Sequence, residues 1–267
     1  MSKHPSSFTP KGLYPAKTKW ITTISLLVVL GFYLLSSFKT DSFIVNFFVK
    51  LPNVFGLISD FFPPDWSYVS SIWPKLFETI HIAIIATTVA VIISIPFSLL
   101  TANNVTTNSW LYQGMRFILN IIRTVPDIVL AVVFVGLFGI GAFSGIVALI
   151  VFAVGILVKL MSEVIETIDM NPTEAIRASG GNTLQTISFA IVPQVLPQFI
   201  SFSLYVFEIN IRASLVLGLV GAGGIGQLLN TQINFMNYPA VSTIIIIVFA
   251  VVVVIDYISS KLREGLV

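Results

Sequence analysis

Residues 128–158 contain no charged side chain. Such a run is too long for one crossing of a hydrocarbon layer, which takes about 20 residues. Gly139, Gly141 and Gly145 divide it, so the pattern predicts a hairpin of two helices, 112–138 and 145–161. Comparable apolar stretches at 20–38, 76–100, 194–218 and 239–259 bring the expected number to about six spans of ~20 residues. Apolar residues make up 56% of the chain and charged residues 10%, against about 25% charge in soluble domains. These values exclude an ordinary soluble domain. The stretch 239–259 is rich in Ile and Val, yet helix is expected there too, because lipid leaves backbone groups no other partner. An all-α integral membrane fold follows. The run 20–38 lacks an evident small-residue cleavage site and is read as a retained first helix rather than a signal peptide.

Several function classes drop out early. There is no cysteine, and His4 and His81 lie too far apart to suggest a metal site. No GxxxxGK[ST] phosphate loop and no nucleophile–base set occurs, so no catalytic residue and no ATPase site of its own is expected. A net charge of +2 is too small to imply nucleic-acid binding. The absence of an evident internal repeat weighs against a secondary transporter.

The placement of Lys and Arg sets the expected direction. Lys3, Lys11, Lys17, Lys19, Arg116, Lys159, Arg177, Lys261 and Arg263 fall on one side, and Lys39, Lys50 and Lys75 on the other, beside Asp41, Asp60 and Asp65. The positive-inside rule then puts both termini in the cytoplasm. The expected organisation is a cytoplasmic tail 1–19, a first span 20–38, an external aromatic-rich segment 39–75, a core 76–260 with a cytoplasmic loop 162–193, and a tail 261–267. The external segment carries Phe43, Phe47, Phe48, Phe55, Phe61, Phe62, Trp66 and Trp73. It reads as an interfacial helix and aromatic belt, or as part of a docking face for an external protein.

Within the loop 162–193, Asn171-Pro172 signals a helix start, with Asn171 able to cap and Pro172 suited to the first turn. Glu174 falls where a carboxylate complements the helix dipole, and Gly180-Gly181 ends the helix. A helix of about two turns is marginal by itself, so a partner that receives it is a reasonable inference.

Three further constellations stand out. Glu208, Asn210 and Arg212 lie inside the fifth span, with the acid and the base spaced i,i+4. They form either a packing lock or a polar lining whose Arg212 offers charge to an anion. In Arg123-Thr124-Val125-Pro126-Asp127, Pro126 is expected to kink or open the helix, while Arg123 and Asp127 either pair or flank a gate hinge. The run Gly221-Ala222-Gly223-Gly224-Ile225-Gly226 has G-x-G-x-x-G spacing. Its flanks are membrane spans and no acid occurs between Arg212 and Asp256, so a dinucleotide site is rejected. Close helix packing, a tight turn or an anion nest remain open there.

The pattern Glu174-Ala175, Gly180, Val192-Pro193 resembles the EAA signature of the membrane subunits of ATP-binding-cassette (ABC) importers, with Ile176 in place of the second alanine and Ala190 at a usual Ile position. Together with FPPDW at 62–66, RTVPD at 123–127, EINIR at 208–212 and VGAGGIG at 220–226, it resembles the permease subunit of phosphonate-type importers over about 40–263. Asp127 stands where those importers commonly carry Glu, and GAGGIG also looks like methionine-type permeases. The resemblance implies a type I ABC importer permease fold with a cytoplasmic coupling helix. It assigns ATPase coupling to Glu174, Ala175, Arg177, Gly180 and Gly181. Candidate pathway or gating residues are Arg123, Pro126, Asp127, Glu208, Asn210, Arg212, Gly221, Gly223 and Gly224. It further implies two cytoplasmic ATP-binding subunits, an extracytoplasmic substrate-binding protein and a second copy of this chain in the bilayer. ATP and Mg would sit on the ATPase partner and no cofactor on this chain. The implied cargo is phosphonate or a related phosphorus oxyanion. Methionine-type cargo, an ion-coupled carrier and a non-transporting scaffold are the competing readings.

Overall fold

The computed structural model describes residues 16–40 and 44–265, which are helical apart from short connections. Helix α1 (Ala16–Lys39) covers the expected first span, and α2 (Ile44–Asp60) follows with Pro52 inside it. These helices, up to Ser59, form one compact unit, and Asp60 onward forms another. Lys3 and Lys11 of the expected tail, with Asp41 and Phe43, lie outside the described residues.

In the second unit a 3₁₀ turn, Trp66–Tyr68, leads into α3 (Val69–Leu100); Asp65 Oδ1 accepts the Ser67 N–H at 3.0 Å to start it. Helix α4 (Ser109–Thr124) begins at Asn108, whose side chain accepts from the N–H groups of Trp110 and Leu111. Helices α5 (Asp127–Phe138) and α6 (Ala142–Thr167) follow, then α7 (Asn171–Ala178) and α8 (Thr183–Thr186). A π segment, Ile187–Ile191, joins α8 to α9 (Val192–Gly218). The chain closes with α10 (Gly224–Asn234) and α11 (Tyr238–Glu264).

Helix α6 is central and packs against α3, α4, α5 and α9. Small residues let these helices approach: Ala86, Ala131, Ala148, Ala213 and Ala222 share one core with Ile82, Leu149 and Leu217. Close backbone approach through small side chains is how helices associate where lipid removes the hydrophobic drive between them. At one end of the bundle Ala102, Met161, Ile165, Ile191 and Val195 form a separate core, which ties the ends of α3 and α6 to the start of α9 beneath α7.

Five helices among the described residues are long and apolar enough to cross a membrane, or six if the bent α4–α5 pair crosses as one. The expected single helix 112–138 is therefore corrected. It breaks between Thr124 and Asp127 with a bend of 89°. Pro126 has no N–H to donate and forces Val125 into an extended conformation (φ −83°, ψ 119°), which stops α4 outright. The expected loop 162–193 is also shorter, because α6 runs on to Thr167 and helix resumes at Thr183. That restart has a signal in the sequence: Asn182 Oδ1 accepts the Gln185 N–H at 2.9 Å and Gln185 Oε1 accepts the Asn182 N–H at 2.8 Å, a capping box. At the other end, α11 continues to Glu264, into the expected tail 261–267.

Candidate functional site: a capped prong and the charges behind it

Helix α7 stands at the end of the bundle with Glu174, Ala175 and Arg177 exposed. Its only buried side chain is Thr173, and it packs against the π segment. The expected Asn171 cap is replaced. Asn171 is already helical, and Asp169 Oδ1 accepts its N–H at 3.0 Å. The exit is as expected from Gly180-Gly181: Gly180 takes φ +85°, and the N–H groups of Gly180 and Gly181 donate to the carbonyls of Arg177 (3.0 Å) and Ile176 (2.9 Å). Only a residue without Cβ adopts that φ at little cost.

Two residues not singled out in the sequence hold the prong in place. Gln194 of α9 accepts the Asp169 N–H at 3.1 Å and donates to the carbonyls of Asp169 (3.1 Å) and Ala190 (2.7 Å). Their sequence signal is weak, since they pair across 25 positions. Beside α7, Ile176, Gly180, Gly181, Gln185 and Phe189 line an open concavity, and Leu184 and Phe189 are 75% and 72% exposed.

Glu208 and Asn210 project from α9 on opposite sides. Glu208 is buried and accepts from Arg212, as the i,i+4 spacing predicts, and from Arg263 of α11 at 3.0 Å. Arg263 falls in the expected tail 261–267. It lies 5.8 Å over the Tyr205 ring and is more buried than Arg212 (side chains 24% and 50% exposed). Asn210 is fully buried and donates through Nδ2 to Thr87 Oγ1 of α3 at 2.9 Å; its Oδ1 has no hydrogen-bond partner among the described residues.

The glycine run turns the chain from α9 into α10, with Gly221, Gly223 and Gly224 all at positive φ. Of the readings left open there, the tight turn is what forms, and the N–H groups that could have made an anion nest are met from within. Glu78 Oε1 of α3 accepts the Gly224 N–H at 3.1 Å, and Thr79 Oγ1 accepts the Ile225 N–H at 2.8 Å. A carboxylate at the first turn of α10 complements the helix dipole, and Lys75 balances it at 2.8 Å. A Cβ on Gly223 would come within 2.9 Å of Glu78 Oε1, so glycine also makes room for this contact.

Arg123 and Asp127 do not pair. The break at Pro126 removes the i,i+4 relation, and Asp127 Oδ1 accepts the Ile128 N–H at 2.8 Å at the start of α5. Among the described residues Arg123 has no hydrogen bond or ion pair, and no group of three or more His, Cys, Asp or Glu side chains suits a metal.

Comparison with known proteins places this arrangement. The family described as binding-protein-dependent transport system inner membrane component matches residues 94–264. A phosphite transport system permease protein of Stutzerimonas stutzeri is 36% identical over 214 residues, covering 80% of this chain and 78% of the relative. The phosphate-import permease protein of Mycolicibacterium smegmatis is 36% identical over 213 residues; the match covers 79% of this chain but only 40% of that longer protein. In fold, the chain is similar to one from an inward-facing MetNI methionine ABC transporter, with TM-score 0.67 at 21% identity, covering 76% of this chain and 99% of that one. With its helical bundle and apolar spans, this chain belongs to the family of binding-protein-dependent transport system inner membrane components and has the type I ABC importer permease fold.

Proposed function

We propose that this chain is the membrane-spanning subunit of an importer that moves phosphonate or a related phosphorus oxyanion, phosphate or phosphite, into the cytoplasm. ATP is hydrolysed on separate subunits. The observation that carries the reading is α7: a short helix fixed at its base by Asp169 and Gln194, closed by Gly180, and otherwise exposed. Relatives named for phosphite and phosphate transport support the choice of cargo.

In this reading the chain works as a pair of copies in the bacterial cytoplasmic membrane, with both termini inside. Each α7 docks on one of two ATPase subunits, and a binding protein delivers cargo from outside. Closure of the ATPase pair moves the α7 helices, and the ends of α6 and α9 move with them, because Asp169 and Gln194 tie α7 to α9. The bundle then switches between two states that differ in their contacts with the partners. Ala175 and Arg177 add contact surface to Glu174 and the glycines. The break at Arg123, Pro126 and Asp127 supplies a hinge, while Glu208 with Arg212 and Arg263, and Asn210 with Thr87, lock opposite sides of α9 to their neighbours and keep it rigid as it moves. Gly221, Gly223 and Gly224 let α10 start against α3.

The test is reconstitution of the chain with its ATPase and binding protein in liposomes. Labelled phosphonate, phosphate or phosphite should enter only with ATP and binding protein present. Entry of methionine instead would change the cargo, and entry without ATP would make the chain a carrier.

A further inference from the structure

The end of the bundle that carries α7 also holds a small cavity. Its walls are Thr101 just after α3, Arg116, Asn120 and Arg123 of α4, and Lys159 and Ser162 of α6. Its volume is about 80 Å³, several times the ~10–15 Å³ that one water needs. Organic ligands take pockets of roughly 300 Å³ and more. This space fits a small ion.

Charge determines which ion. Arg116 is engaged on every side: it donates to Glu166 at 2.7 Å and to the Thr101 carbonyl at 3.2 Å, and lies 4.6 Å over the Tyr112 ring. Lys159 pairs with Glu163 at 2.5 Å. Among the described residues Arg123 has no counter-charge, because the Pro126 break puts Asp127 on another helix. Two acids therefore face three cations. The Arg123 stem passes close against α6 at Gly155, where a Cβ would come within 3.0 Å of its Cγ, and the residue as a whole is exposed. Ser162 and Thr101 donate their protons to the carbonyls of Lys159 (2.9 Å) and Phe97 (2.8 Å). Donors to a ligand must then come from Arg123, Lys159 and the Asn120 amide.

We infer that this α3–α4–α6 cavity binds a single tetrahedral oxyanion of phosphorus on the Arg123 guanidinium, with Lys159 and Asn120 completing the cradle. A guanidinium presents parallel N–H groups that match phosphate oxygens. The same chemistry comes from two sources: a free phosphorus oxyanion, which deepens the import reading and rests on it, or the headgroup of a phospholipid.

The test uses the full-length chain in phosphate-free dodecyl maltoside, titrated calorimetrically with inorganic phosphate and, separately, with short-chain phosphatidic acid. Saturable binding of inorganic phosphate identifies the free ion. Binding of phosphatidic acid alone identifies the headgroup. Either should weaken about tenfold to hundredfold in Arg123→Gln, the effect of one charged hydrogen-bonding partner. It should weaken at least as much in Asn120→Asp, which puts an anion at an exposed wall position. Arg123→Lys should retain part of the affinity, and Lys261→Gln all of it. Wild-type-like binding in Arg123→Gln or in Asn120→Asp, or no binding of either ligand to the wild type, overturns the site. Uptake by the assembled transporter is read separately. Binding without uptake leaves the cavity standing and the import reading fallen, and uptake with unchanged binding in Arg123→Gln does the reverse.

Discussion

On α7, Glu174 and Arg177 are exposed and make no side-chain hydrogen bond among the described residues, whereas on α9 Glu208 is buried and holds two guanidiniums. Both helices interrupt an apolar chain with polar groups. In α9 the buried acid is held by two bases, and a buried charge left without a partner costs several kcal/mol. In α7 backbone groups are satisfied at both ends while the side chains stay free. The contrast separates charges that hold the fold from charges left available to a partner. Substitutions on α7 should therefore cost transport and leave stability intact, and substitutions around Glu208 should do the opposite.

The largest effect is expected at Gly180. An aspartate there must adopt φ +85° and puts a negative charge at the C-terminal end of α7, where the dipole disfavours it. Gly180→Asp should abolish ATP-dependent uptake in liposomes while leaving the thermal midpoint of the purified chain nearly unchanged; Glu174→Lys should act alike. Normal uptake with undiminished ATPase copurification would break the contrast from this side. Next comes Glu208→Ala, which strands Arg263 and Arg212 without an acid. The expected loss is about 3 kcal/mol, at the low end for a broken buried pair, because Arg212 is half-exposed and finds other partners. Unfolding of the variant in detergent checks it, and Arg212→Ala should cost less than Glu208→Ala.

How much of this could be read beforehand depends on the range of the interaction. The prong was legible because its signals are local: Pro172 near the start, Glu174 in the first turn, Gly180-Gly181 at the end. The Glu208–Arg212 pair was legible for the same reason. Arg263 was not, since it reaches Glu208 across 55 positions, and neither was the Glu78 contact with Gly224 across 146. The Arg123–Asp127 pair failed in a more instructive way. Its spacing assumes a continuous helix, and Pro126 lies between the two residues; a breaker inside the window should have outweighed the spacing. Helix α10 was missed because its glycines read as a turn, although the side chains that start it come from α3.

A smaller effect is expected where α3 caps α10. Thr79→Val keeps the shape of a buried side chain but leaves the Ile225 N–H without its acceptor. An orphaned buried donor costs about 1–3 kcal/mol, and the loss should appear in thermal unfolding. Glu78→Gln should cost less, because the amide oxygen still accepts from Gly224 while the charge on the helix end is gone. If Glu78→Gln proved the more harmful of the two, this junction of α3 and α10 would depend on its charge pair with Lys75 rather than on satisfied backbone groups.

The smallest effect sharpens the contrast most. The Asn210–Thr87 hydrogen bond lies within the bundle, where such bonds between membrane helices are worth about 0.6 kcal/mol. Thr87→Val alone should cost roughly that. The double variant Thr87→Val with Asn210→Leu should recover wild-type stability or exceed it, because it removes the unpaired Oδ1 along with both partners. Uptake by that variant then decides what Asn210 does. Retained uptake makes it a packing contact. Lost uptake at full stability means that its free carbonyl oxygen is used by cargo or in the alternate state of the bundle. In that case α9, like α7, carries a polar group held in reserve for a partner.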